Sequence, residues 1–327
     1  MGARNGEEFR DAIRKRLPAQ VLRPLTELSA LRATFAIAQT ILCLAAVISL
    51  AWRIWTPWVL IPAVVLIGAL QHALFILAHD AAHYRLYESR RVNDVLGRAL
   101  GIAGGISMRT YRVIHRLHHN HLYGPQDPDV ALHGGYPRGR AYLVKKLAKD
   151  LLGLTAWKNY AYFFGNPAIN ADTGGVHRPL NDTSPQLRGQ ARQDRWLVVL
   201  AHAAMLAIAY LGGFLTQYLV LWVLPLLTVL QAILRLRAIC EHGAVSDIST
   251  PLKSARTNQA PWIVRELLFP HHVNYHLDHH LYPAVPHYNL PELHRALEAH
   301  GILQEAEVRP LSQTLRRIFS SRLPSIP

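Results

Sequence analysis

Four apolar runs, at residues 33 to 52, 58 to 78, 196 to 212 and 214 to 234, constrain this chain more than any other feature. At a rise of 1.5 Å per residue, about 20 residues cross a hydrocarbon core of about 30 Å, and each run is long enough or nearly so. Of the 327 residues, 50% are hydrophobic and 17% charged. That is too apolar for an ordinary soluble domain and too polar for spans alone. The expectation is an all-α fold: an integral membrane four-helix bundle with a polar helical cap.

Charge orients the bundle. Arg4, Arg10, Arg14, Lys15, Arg16, Arg23 and Arg32 precede the first run, whereas the link to the second holds only Arg53. Basic residues favour the cytoplasmic side, so both termini are expected there, with four crossings between them. Residues 1 to 32 lack the apolar core and cleavage site of a secretory signal and read as a basic cytoplasmic segment. Residues 33 to 300 then form the membrane domain and 301 to 327 a C-terminal tail. Gly212-Gly213 joins the third and fourth runs as a tight hairpin on the far side.

Histidine spacing supplies the chemistry. Three clusters stand out: His79-Asp80-Ala81-Ala82-His83, His115-Arg116-Leu117-His118-His119 and His276-Leu277-Asp278-His279-His280, with His242 just after the last run. Positions i, i+3 and i+4 share one helix face, so each cluster can aim its imidazoles at one point. Two follow the second run, while His242 and the third follow the fourth, and the intervening crossings return the chain to its starting side. All are therefore expected on the cytoplasmic face, where they can hold two metal ions. A lone histidine is usually a surface or satisfied core group, and His121, His133, His177, His287, His294 and His300 are placed in that class. Recurrence at helical spacing sets the clusters apart.

Polar residues inside the runs are costly in lipid. His202 is expected to hydrogen-bond a neighbouring helix, and Gln71 and His72 to face a helix or line a channel. The net charge of +14 comes without a nucleic-acid motif, so anionic membrane lipids and an acidic redox partner explain it better. Cys43 and Cys240 suggest neither a disulfide framework nor a thiolate site.

Residues 138 to 165 read as an interfacial helix, with Leu143, Leu147 and Leu151 at i+4, aromatic residues beyond them and lysines interspersed. Residues 166 to 195, with Gly174-Gly175, Pro179, Asp182 and Pro185, read as a polar loop. Pro291 to His300 suits a short helix closed by Gly301.

Imidazole suits Zn, Cu, Fe and Ni alike. A zinc enzyme takes three protein ligands and one open position, and the H-E-x-x-H of zinc proteases is absent. The clusters hold too many histidines for one zinc, and two redox-active irons binding oxygen are the economical solution.

The three boxes, Glu241-His242-Gly243, and Asn274 to Pro283 running into Tyr288-Asn289-Leu290-Pro291 resemble the membrane fatty acid desaturase and hydroxylase superfamily over roughly residues 55 to 300. The resemblance implies a non-haem diiron centre with O2 as cosubstrate and two electrons from outside. It implies as ligands His79, His83, His115, His118, His119, His242, His276, His279 and His280. One departure is noted: some members carry Asn one turn before the histidine matching His242, reaching iron through water, where this chain has Ala238.

Metal-bound imidazoles usually donate their other N–H to a carboxylate or carbonyl. Asp80, Glu241 and Asp278 are assigned that role, and Asp127-Pro128-Asp129 is read as a turn. The three-residue gap in the first box and His276 opening the third resemble methyl-end acyl-lipid desaturases, which implies an acyl lipid or fatty acyl substrate. A separate electron donor is expected, a ferredoxin or small cytochrome with its reductase. A fatty acid hydroxylase or carotenoid ketolase or hydroxylase would use the same boxes. A histidine-rich metal transporter ranks below these, because transporters place ligands near the membrane midplane.

Overall fold

The computed structural model describes residues 17–167, 178–181 and 183–321. Arg4, Arg10, Arg14, Lys15, Arg16, Gly174, Gly175, His177 and Asp182 lie outside the described residues.

The structure is 69% helical with almost no strand. A short helix, α1 (Ala19–Thr26), precedes α2 (Ala30–Arg53) and α3 (Pro57–Ala82). Then come α4 (Arg90–Ala103), α5 (Met108–His121), α6 (Arg140–Leu151), α7 (Ala156–Phe163), α8 (Pro185–Leu211) and the nearly continuous α9 (Leu215–His242). After these follow β1 (Thr257–Gln259), α10 (Trp262–Leu268), α11 (His276–Leu281), α12 (Leu290–Ala299), β2 (Val308–Pro310) and α13 (Leu311–Ile318). Among the described residues, four helices (α2, α3, α8 and α9) are long and apolar enough to cross a membrane. The all-α bundle expected from the runs is therefore present.

α3 is the central helix, packed against α2, α4 and α9. Its second half is buried without a break from Ile67 to Ala82 apart from half-buried Leu70. Gly68 permits the close approach of α9: a Cβ there would stand 2.6 Å from the Val229 Cβ. α2 and α8 instead present Leu31, Phe35, Leu42, Leu200, Ile208 and Leu211 outward, as helices facing lipid must.

Two helices outrun their apolar segments. α3 continues through His79 and Asp80 to Ala82 and α9 continues to His242, so the first cluster lies on the final turn of its span and His83 forms that helix's C-cap. α8 starts at Pro185, well inside the stretch read as a loop, with Ser184 accepting from Leu187 N at 3.2 Å as its N-cap. Hydropathy cannot register a polar helical extension, because Arg188, Arg192 and Arg195 favour helix while lowering apolarity.

The interfacial helix expected over 138 to 165 is two helices. Gly153 at φ +73° and the turn after Leu151 separate α6 from α7, and exposed Leu151, Leu152, Leu154 and Trp157 cluster at that corner.

α9 itself is irregular. A π segment at Leu219–Val223 and Pro225 interrupt its hydrogen-bond ladder, which frees carbonyls that lipid cannot satisfy. Side chains take over: Gln71 Nε2 donates to Trp222 O at 3.0 Å, Gln231 Nε2 to Leu226 O at 2.6 Å and Thr228 Oγ1 to Leu224 O at 2.6 Å. Gln71 thus has a structural partner. His72 is fully buried, stacked on Phe75 with ring centroids 6.4 Å apart, and its nitrogens meet no hydrogen-bond partner among the described residues. His202 reaches the Ile102 carbonyl at 2.7 Å, the interhelical bond its sequence context suggests.

α11 and α12 close a second core with Leu252, Leu277, Leu281, Leu293 and Leu297 at the end of the bundle where α3 and α9 finish. α12 starts at Leu290 and Gly301 at φ +66° follows its end, as expected. β2 pairs in parallel with β1, Thr257 opposite Val308, which ties the residues after 300 into this region.

Candidate metal centre

Four elements bring the histidines together. The last turn of α3 carries His79, with His83 at the cap. α5, whose Ser107 accepts from Thr110 N at its start, presents His115, His118 and His119 on one face. His242 ends α9, and α11 supplies His276, His279 and His280.

The imidazoles sort into two groups whose ligand atoms lie within 4.8 Å of one another: His79, His83, His115, His119 and His279 in one, His118, His242, His276 and His280 in the other. Within the first, Nε2 atoms face each other at 2.8 Å (His83 to His115), 3.0 Å (His115 to His119) and 3.2 Å (His119 to His279). Within the second the separations are 3.2 Å (His118 to His242), 2.8 Å (His242 to His276) and 3.1 Å (His276 to His280). Nine imidazoles gathered at two shared points could hold two cations with nitrogen ligands. Both nitrogens of buried His79 lack a hydrogen-bond partner among the described residues, which fits a ring held for a metal. The eight clustered histidines and His242, the set the resemblance implies, all fall in these two groups.

Burial pushes His115, His119, His276, His279 and His280 well below the ordinary histidine range, so they stay neutral and free to ligate. His118 differs. Burial also opposes its charge, but the carboxylates of Asp127 and Asp129 prevail and raise it to about 9.

Carboxylates surround the groups. Asp80 Oδ1 lies 3.7 Å from His79 Nδ1, and its other oxygen accepts from His287 N at 3.0 Å and Nδ1 at 2.7 Å. Glu241 Oε1 lies 3.5 Å from His276 Nδ1 and accepts from Arg237 Nη1 at 3.2 Å. Asp278 departs from the sequence reading. Two residues after His276 in α11, it sits about 200° around the helix and bonds outward to His294 Nδ1 at 2.8 Å and Thr257 Oγ1 at 2.5 Å. Asp127, read as part of a turn, instead accepts from His118 Nδ1 at 3.0 Å and from the amides of Tyr123 and Asp129, each at 2.9 Å.

A cavity of about 70 Å³ opens against both groups. The clustered histidines His79, His115, His118, His242 and His276 line it, together with Phe75, Leu234, Arg237, Ala238 and Glu241 among others.

The family described as fatty acid desaturase matches residues 54–309. The chain belongs to the fatty acid desaturase family. Among its relatives it is 28% identical over 289 residues to dihydrorhizobitoxine desaturase of Bradyrhizobium elkanii, covering 85% of this chain and 77% of that protein. It is 28% identical over 265 residues to the probable fatty acid desaturase DES1 of Sorghum bicolor, covering 75% of this chain and 64% of that one. A third relative, beta-carotene ketolase of a Paracoccus species, is 28% identical over 220 residues, 67% of this chain and 72% of the ketolase. Desaturases and ketolases are oxidoreductases, so membership makes this chain an enzyme of that kind.

Three histidines of this family member escaped the spacing argument. His133 is 1% exposed with Nε2 3.7 Å from Asp127 Oδ2; His287 and His294 bind Asp80 and Asp278. Each stands alone in sequence, without another histidine at i+3 or i+4. Only the fold reveals that they meet carboxylates lying among or beside the boxes.

Proposed function

We propose that this desaturase-family chain is an O2-dependent diiron enzyme that desaturates acyl chains of fatty acids or lipids. One iron would be held by His79, His83, His115, His119 and His279, and the other by His118, His242, His276 and His280. The observation carrying this reading is the convergence of nine imidazoles on two points beside one cavity. In balance, one O2, two electrons and two protons convert a –CH2–CH2– unit into –CH=CH– and two waters.

Bound iron supplies the oxygen activation. The protein's own groups do the rest. Asp127 holds the proton of His118 on Nδ1, so Nε2 points inward. Asp80 and Glu241 lie beside the Nδ1 atoms of His79 and His276 in the same sense. Phe75 and Leu234 keep the reacting face dry, which matters because stray water would redirect a strong oxidant. Electrons come from a separate ferredoxin or small cytochrome, drawn to a chain of net charge +14. The active site and both termini are assigned to the cytoplasmic face from the basic flank of the first span.

Anaerobic loading with ferrous salt should give two irons per chain. Expression in a host with a suitable reductase should give new double bonds in host acyl chains, read by gas chromatography with mass spectrometry. Stoichiometric zinc in an active preparation would overturn the metal assignment. Hydroxylated or ketone products without new unsaturation would move the chain to oxygen insertion, the reaction class of its ketolase relative.

A further inference from the structure

Arg237 is a cation set into the wall of the reaction cavity. It lies in α9 one turn before Glu241 and is 9% exposed. Its Nη1 donates to Glu241 Oε1, and its buried Nε meets no acceptor among the described residues. A guanidinium carries five N–H donors, and the Glu241 oxygen that it reaches also faces His276 Nδ1, so this carboxylate leaves much of the fork unsatisfied. The following residue, Ala238, adds only a methyl group to the same wall. His133, which also lines the cavity, is 1% exposed with no hydrogen bond at either nitrogen among the described residues.

Glu241 answers the charge of Arg237, but a neutral acyl chain offers only methylenes to such a corner and leaves the buried Nε–H without an acceptor, and a buried donor left unpaired is costly. A carboxylate matches the planar fork in shape and in charge. We propose that Arg237 binds the free carboxylate of the substrate, so that this enzyme acts on an unesterified acid. Arg237 reaches the same Glu241 oxygen that lies 3.5 Å from His276 Nδ1, so a carboxylate on its guanidinium sits beside the histidine groups, and the oxidised bond lies close to that carboxylate. This deepens the diiron reading above and rests on it.

The test uses the full chain loaded anaerobically with ferrous iron. Butanoate and hexanoate are titrated against their methyl esters, with near-infrared magnetic circular dichroism of the ferrous centre as the readout, which needs neither turnover nor an electron donor. The free acids should bind about tenfold to a hundredfold tighter than the esters, the factor lost with one hydrogen bond to a charged group. Arg237→Gln should abolish that preference at unchanged iron content, and Arg237→Lys should restore part of it. Equal binding of acid and ester to the unaltered chain overturns the proposal without recourse to any variant, and so does absence of binding by all four probes. An acid preference that survives Arg237→Gln also overturns it, because the carboxylate would then be bound by iron alone. Failure of the unaltered chain to hold two irons would instead strike the diiron reading.

Discussion

Replacing Glu307 by Gln should loosen the end of α9 that carries His242. Arg256, fully buried, donates from Nη1 to Cys240 O at 2.9 Å and Gly243 O at 3.1 Å, and from Nη2 to Ala244 O at 3.1 Å. It thereby answers carbonyls that a helix end leaves without partners. Glu307 fixes that guanidinium through Nε at 3.1 Å and also accepts from Ser246 N at 3.0 Å and Arg309 Nε at 2.7 Å. Burial opposes the Glu307 charge, but Arg309, Arg256 and the Ser246 amide prevail and hold its carboxyl at about 2, against an ordinary 4.5. That depression corresponds to about 3 kcal/mol, and solvent screening on the Arg309 side reduces it to about 2 kcal/mol. The sign follows from the depressed value: the stabilisation is complete above pH 4.5 and fades as pH falls toward 2. Detergent-solubilised protein followed by tryptophan fluorescence should show Glu307→Gln melting several degrees lower at pH 7. The gap should close as both proteins are acidified. A variant with unchanged Tm at pH 7, or a gap that persists undiminished at pH 2 and below, refutes the assignment of Glu307 as the anchor of Arg256.

Asp127→Asn should weaken binding of iron about tenfold to a hundredfold, because His118 then loses its charged partner at 3.0 Å; competition with a ferrous chelator measures it, and unchanged affinity would return Asp127 to a mere turn. Alanine at any of the nine clustered histidines should abolish turnover, whereas exposed His300, bonded only to its own helix at Ala296 O, should tolerate it; activity retained in two or more of the nine sinks the ligand set. Reporter fusions after residues 90 and 250 should score cytoplasmic and one within 53 to 57 should score outside; a cytoplasmic Pro57 breaks the four-crossing topology. Gly68→Leu should prevent α9 from packing on α3, since even a Cβ would stand 2.6 Å from Val229, and loss of folded protein on size-exclusion chromatography would register it.

Spacing made the cage readable. His115, His118 and His119 announce a shared helix face by themselves, and even numbers of crossings bring separated clusters to one end. Other features had no local sign. Asp127-Pro128-Asp129 is as good a turn in sequence as it is a carboxylate support, and what distinguishes them is the proximity of His118, a tertiary fact. Arg237 sits just past an apolar run, where a charge reads as an ordinary flank. Pro185 to Arg195 is polar enough to pass for a loop, yet Ser184 caps it and the helix persists. Gly153 offered the one visible hint that α6 and α7 are separate.

The order of the ligands along the chain has a consequence for biogenesis. The first group joins His79 to His279 and the second joins His118 to His280, so each point of convergence needs residues from both the early and the late parts of the polypeptide. At ribosomal speeds of about 5–20 residues per second, the interval between synthesis of His79 and of His280 lasts roughly ten to forty seconds. Until α11 emerges and docks, neither nest of imidazoles is complete. On the diiron reading, metal capture would wait for a nearly finished chain, and the supply of iron would act on the last stage of maturation.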